Sequence, residues 1–274
     1  MNVDNENIGP KQHSEDEIDW ETFFNPEDKQ EWEKEKLQKK KRKKFFVKIV
    51  SSLLVFALLI SGLEVWINIF NLPAINFVKV SNTLSKQPEV KEFKKSVVTI
   101  EWDGVKGTGF TVSPNGLIVT NEHVVEHTNR VNVHFKSDGS YVGKVIAKHP
   151  EIDVAIVEID AENIPFLPLA LEHDWEKRVG EEIIFIGNPL AFTQIANQGT
   201  IIGKALLTDW DVPVMMIEAP IYKGNSGSPI LNQNGEVVGV IFATLQNPQT
   251  ESKEIVGVAI PSYHIREIVD HLTK

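Results

Sequence analysis

Apolar positions follow three regimes along this chain. Residues 1–36 are polar and acidic with few aliphatics, interrupted by the aromatics Trp20, Phe23, Phe24 and Trp32. Such a stretch buries too little apolar surface to offset its ordering entropy, so residues 1–44 are expected to be a disordered tail, with the aromatics as an incidental set or a docking motif. The tail ends in the basic run Lys39-Lys40-Lys41-Arg42-Lys43-Lys44. Phe45–Leu63 is then apolar except for Lys48, and Val65-Trp66-Ile67 prolong it past Glu64. About 19 such residues reach across a hydrocarbon core, with Lys48 extending its ammonium to the headgroups. The run predicts a single transmembrane helix over 45–67. A cationic flank stays cytoplasmic, so the later chain is expected outside. Residues 68–95, with Pro73 and Pro88, read as a linker or stalk.

From Ser96 the pattern changes to short apolar runs between turn signals. Ser96–Trp102 meets Asp103-Gly104, Gly109–Val112 meets Pro114-Asn115-Gly116, and Leu117–Thr120 follows. Val131–Phe135, Tyr141–Ala147, Glu182–Ile186, Val214–Ile217, Glu236–Ala243 and Glu254–Ile260 continue the series, with Asp138-Gly139 and Asn234-Gly235 as further turns. Asn-Gly and Asp-Gly between such runs are hairpin signals. The domain over 96–274 is therefore all-β, a sandwich or a pair of barrels. Its end differs: Pro261 opens a helix with Ile265, Ile268 and Leu272 on one face.

Composition narrows the chemistry. The 274 residues carry a formal net charge of −10, which argues against a nucleic-acid partner. There is no cysteine, so disulfides, thiolate metal sites and cysteine nucleophiles are excluded.

Three segments carry candidate reactivity, in the order His123, Asp153, Ser226. They are Thr120-Asn121-Glu122-His123-Val124-Val125, Asp153-Val154-Ala155-Ile156-Val157 and Gly224-Asn225-Ser226-Gly227-Ser228-Pro229. A serine hydroxyl needs a base within hydrogen-bond reach, and the base needs an orienting partner. Ser226 is the candidate nucleophile, His123 the base, and Asp153 the group that fixes the imidazole, with Asp160 as the weaker rival. The turn Gly224-Asn225-Ser226 is the candidate oxyanion hole, through the N–H groups of Gly224 and Ser226. His123-Val124-Val125-Glu126-His127 also fits a zinc-binding pattern, but that pattern works only on a helix long enough to stack both histidines. Little room exists for one here, so no metal and no cofactor are expected.

From Val97 onward the chain resembles chymotrypsin-like proteases of the HtrA type. The resemblance rests on Gly107-Thr108-Gly109-Phe110, Leu117 to Val125, Asp153 to Val157, Ile186-Gly187-Asn188-Pro189, Gly224 to Gly227, Gly235 to Val240 and Gly257 to Pro261, in the family's order. It implies two perpendicular six-stranded β-barrels with the triad His123, Asp153, Ser226 in the cleft, acting on protein or peptide substrates. It also implies a membrane tether through 45–67, trimers as homo-oligomers, and a role in envelope protein quality control. A catalytically inactive, peptide-binding module is the alternative. Three departures stand out. The sequence ends just after the closing helix, so the PDZ domain usual in HtrA proteins is expected to be absent. Ser228 stands where a second glycine is usual, a form similar to bacterial glutamyl endopeptidases. The histidine with which those bind glutamate is matched by Ile241, so glutamate specificity is not carried over.

Ala219, Pro220 and Ile221 precede the nucleophile turn, and Ile241, Phe242 and Ala243 are expected to face them as the walls of the primary specificity pocket. None is charged. An apolar slot penalises an unpaired charge, so small or medium aliphatic side chains are the expected preference. A peptide library read by mass spectrometry checks this; cleavage mainly after Lys, Arg or Glu contradicts it.

Overall fold

The computed structural model describes residues 26–69, 72–137, 139–171, 175–189, 192–208, 210–247 and 254–273. Residues 1–25, with Trp20, Phe23 and Phe24, lie outside the described residues. The chain divides into two units, 1–70 and 71–274.

In the first unit, helix α1 spans Pro26–Ile69. It contains a segment, Gln30–Gly62, long and apolar enough to cross a membrane. The helix corrects the expectation of disorder over 26–44. Its Glu, Lys, Gln and Leu content favours helix intrinsically. Local pairs add to that: Lys39 Nζ lies 3.3 Å from Glu35 Oε2 one turn back, and the Lys36 ammonium sits 4.3 Å from the Trp32 ring centroid.

The second unit contains two closed barrels. The first is built from β1 (Val97–Trp102), β2 (Val105–Thr111), β3 (Leu117–Thr120), β4 (Arg130–His134), β5 (Ser140–His149) and β6 (Val154–Glu158). Its strand order is β1-β2-β3-β6-β5-β4. The second is built from β7 (Glu182–Gly187), β8 (Ile195–Ala205), β9 (Val214–Glu218), β10 (Pro229–Leu231), β11 (Val237–Gln246) and β12 (Ile255–Pro261). Its order is β10-β11-β12-β9-β8-β7. The expected pair of six-stranded barrels is thus found. The β1–β2 hairpin turns at Asp103 and Gly104, with φ of 42° and 78°, as an Asp-Gly turn requires.

Period-two alternation along the strands sorts side chains into separate cores. In β6, Ala155 and Val157 join a cluster within the first barrel, while Val154 and Ile156 join a cluster shared by both barrels. In β9, Met215 and Ile217 belong to the second barrel's cluster, while Val214 and Met216 belong to the shared one. Strands buried on both faces read as unbroken apolar runs. This explains why 154–157 and 214–217 do not alternate. The closing helix, α5 (Ser262–Leu272), lies over the second barrel's strands. Ile265 and Val269 are buried beneath it, Ile268 packs against the shared cluster, and Leu272 is exposed.

Two helices run through most of the expected linker or stalk over 68–95. Helix α2 (Leu72–Leu84) packs on β8, and helix α3 (Pro88–Lys95) buries Val90. Phe77 and Leu84 of α2 are buried. The Ala196 N–H donates to Ser81 Oγ at 3.1 Å, and Asn197 Nδ2 to the Phe77 carbonyl at 3.2 Å. The prolines that read as interruptions sit in first turns, where no intrahelical N–H is needed. Phe77 anchors this arrangement, so Phe77→Ala is expected to cost about 3–5 kcal/mol of stability. Denaturant unfolding of the full chain, followed by near-ultraviolet circular dichroism, checks it; a change under about 0.5 kcal/mol, normal for a surface site, contradicts it.

Candidate active site

His123 lies on α4 (Glu122–Val125), a single turn directly after β3. One turn cannot stack His123 and His127 on a common face, so the zinc-type pattern lacks its helix. Among the described residues, no group of three or more His, Asp or Glu is arranged to hold a metal ion. Asp153 ends the β5–β6 connection in left-handed backbone, φ 51° and ψ 47°. Asp and Asn tolerate that conformation better than most residues. It places both carboxylate oxygens on His123. Asp153 Oδ1 accepts the His123 backbone N–H at 2.9 Å, and Oδ2 lies 2.7 Å from Nδ1. Asn121 Nδ2 holds the Asp153 carbonyl at 2.8 Å. With Nδ1 donating to the carboxylate, Nε2 is left as an acceptor. The carboxylate hydrogen bond, aided by the charges of Asp153, Glu122 and Glu126 and opposed by burial, raises the His123 pKa above the ordinary 6.5. Asp160 lies beyond β6, exposed.

The Ser226 turn is fixed from both barrels. Within the second, the Asn225 N–H donates to the Tyr222 carbonyl at 3.0 Å and the Gly227 N–H to the Ile241 carbonyl at 2.8 Å. From the first barrel, the buried Thr108 of β2 reaches across. Its N–H donates to the Ser226 carbonyl at 2.9 Å, and its hydroxyl donates to the Gly224 carbonyl at 2.7 Å. The same hydroxyl accepts the Asn188 N–H at 2.9 Å, and the Thr108 carbonyl accepts the Thr120 hydroxyl at 2.7 Å. Thr108 and Asn188 carry no sequence signal as site residues beyond their place in the quoted motifs.

Glycine is required at two points of this turn. Gly224 has φ +97°, and Gly227 has φ +85°, where a Cβ would collide with the Thr108 carbonyl. The Asn225 N–H closes the turn on Tyr222; the Gly224 and Ser226 amides of this turn have no backbone acceptor among the described residues. The Ser226 hydroxyl lies 3.4 Å from the Phe242 carbonyl, as a donor to it. The Asn225 amide atoms and Ser228 Oγ are buried with no hydrogen-bond partner. A Cβ at Gly187 would strike both of these side chains.

Of the six expected pocket residues, Ala219, Ile221 and Ile241 meet in the second barrel's cluster. Ala219 and Pro220 border a groove of about 690 Å³, together with Glu182, Gln198 and Glu218. Ile221 packs against the second barrel's cluster, close to the Cα of Gly257. Ile241 is fully buried in that cluster. Phe242 joins the shared cluster and stacks on Trp210, with centroids 5.1 Å apart and 17° between planes. Consecutive strand residues face opposite sides, and a bulge between Ile241 and Ala243 shifts the register. Of the six, Pro220 and Ala243 are exposed.

Residues 107–240 match the family described as trypsin-like peptidase domain. The chain is 34% identical over 174 residues to a probable periplasmic serine endoprotease, DegP-like, of Chlamydia trachomatis, covering 62% of this chain and 34% of that protein. It therefore spans about a third of that relative's length. Among solved structures, the Rv3671c protease of M. tuberculosis H37Rv in its inactive form has a TM-score of 0.57 at 27% identity, covering 67% of this chain and 92% of that one. The serine endoprotease from Yersinia pestis has a TM-score of 0.58 at 25% identity, covering 67% and 65%.

The His123–Asp153 contact predicts a measurable titration. Histidine NMR signals of the full chain are expected to show His123 protonating above pH 6.5 and the Asp153→Asn variant protonating lower. A wild-type value at or below 6.5 contradicts the contact.

Proposed function

We propose that this chain, which carries a trypsin-like peptidase domain, is a serine endopeptidase tethered to a membrane by α1. The single observation that carries the reading is the double contact of Asp153 with His123, which leaves the outer imidazole nitrogen as the free acceptor. In this reading Ser226 Oγ attacks the carbonyl carbon of a peptide bond and gives its proton to His123 Nε2. The imidazolium is stabilised by the Asp153 carboxylate. The oxyanion forms against the amides of Gly224 and Ser226. The proton passes to the leaving amine, the C–N bond breaks, and an acyl ester on Ser226 remains. Water, deprotonated by His123, then releases the acid and restores the serine.

The neutral imidazole needed for the first proton transfer predominates only above the raised pKa, so the rate should climb through that pH. Protonated His123 keeps its carboxylate partner, so that contact stabilises the fold below the ordinary histidine pKa. The contribution fades as pH rises through the raised value. The basic run 39–44 supports a cytoplasmic N-terminus with the barrels outside, and the relatives described as periplasmic fit that side. Protein quality control in the envelope and trimer formation are part of the same reading, supported by the likeness to DegP-like proteins.

One observation favours a second reading. The Ser226 hydroxyl is turned to the Phe242 carbonyl, as suits a module that binds peptides without cutting. A fluorophosphonate probe applied to the full chain in detergent separates the two. Covalent labelling is expected for wild type, none for Ser226→Ala, and a rate about 10⁴-fold lower for Asp153→Asn. Absence of labelling in a folded wild type, shown by circular dichroism, overturns hydrolysis.

A further inference from the structure

A second concave site lies apart from His123 and Ser226. The C-terminal part of α2, α3, the segment after β4 and the residues leading into β8 enclose a groove of about 520 Å³. Lys91, Lys94, Lys95 and Lys136 line it, with the hydroxyls of Ser85 and Thr193 among them. No described carboxylate lines it, although acidic residues outnumber basic ones in the whole chain, 38 to 28. Lys95 pairs with Glu92 at 2.7 Å on its exposed side.

Lys94 is the informative member. It is half-buried, and its ammonium donates to Ser85 Oγ at 2.6 Å. No described carboxylate is paired with it. Burial, with the nearby charge of Lys136, lowers its pKa to about 8. A cation withdrawn from water beside a second cation, with only a neutral hydroxyl as partner, is costly for an empty site. Structural lysines ordinarily find an acid or extend into solvent. The backbone here is well fixed: the buried Gln194 donates from Nε2 to the carbonyls of Lys94 and Val97, at 2.6 and 2.9 Å.

We infer that this groove binds a phosphate group, with Lys94 and Lys136 supplying the charge and Thr193 the neutral donor, while Ser85, whose hydroxyl donates to the Ser81 carbonyl, holds Lys94 in place. Converging ammonium groups and a hydroxyl suit a multivalent anion with several acceptor oxygens. The groove is larger than a lone phosphate, leaving room for the group that carries it. That group is a phospholipid headgroup or a free phosphate compound. The inference does not depend on the hydrolytic reading.

The test uses the full chain and reads its unfolding midpoint. Inorganic phosphate replaces chloride at constant ionic strength, in detergent. In a second arm, the chain sits in phosphatidylcholine nanodiscs with or without phosphatidylglycerol. A ligand of the folded state should raise the wild-type midpoint by about 2–4 °C once it exceeds its dissociation constant several-fold. The variant Lys94→Gln/Lys136→Gln should lose the shift. Lys136→Glu, at an exposed position, serves in its place if the double variant fails to fold. A shift with phosphate alone assigns a free phosphate; a shift with phosphatidylglycerol as well assigns the headgroup. No wild-type shift with either probe, or an equal shift in the variants, overturns the site.

Discussion

Thr108 is the constraint on which this site depends. One buried residue of the first barrel makes four hydrogen bonds, two of them to the carbonyls of Gly224 and Ser226 in the second. Each net contribution is of order 1 kcal/mol, but leaving any of these groups buried and unpaired costs more than that. The Ser226 turn therefore cannot shift against the first barrel without orphaning several groups together. Gly227 tightens the same contact, since its bare Cα is what lets the Thr108 carbonyl approach. His123 and Asp153 come from the first barrel and Ser226 from the second. The fixed join lies between them.

Around this join the chain tolerates local cost. Asp153 holds left-handed backbone, and Asn225 and Ser228 bury polar atoms with no partner. Such features are uncommon and concentrate where geometry is held for chemistry rather than for stability. Ser228 occupies the position where the resemblance expects glycine. Its hydroxyl fills space that only a glycine at 187 leaves free.

Much of the fold was legible because hairpin signals and apolar runs are local. Asp103-Gly104 and the run at 214–217 name their own structures. β8 was not foreseen: Asn197, Gln198, Gly199 and Gly203 interrupt its apolar pattern, although its neighbours bury much of it. β10, three residues long, is too short to show a period. The helicity of 72–95 was hidden by prolines that happen to lie in first turns. Within the site, residue types and order pointed to His123, Asp153 and Ser226. The roles of Thr108 and Asn188 were not readable, because the bonds that join them to each other and to the Gly224 carbonyl span 80 and 116 residues of sequence. The burial of Ile241 was not readable for a related reason. Facing direction depends on a bulge that no local pattern announces.

Helix α2 redraws the boundary of the two-barrel unit. Phe77 meets the Tyr222 ring edge to face, centroids 4.8 Å apart, and the Tyr222 carbonyl caps the turn that carries Ser226. A fragment trimmed to begin at the first strand would uncover β8 and strip the support from Tyr222. A version of this molecule made without helix α1 should accordingly open near Leu72, at the start of the second unit.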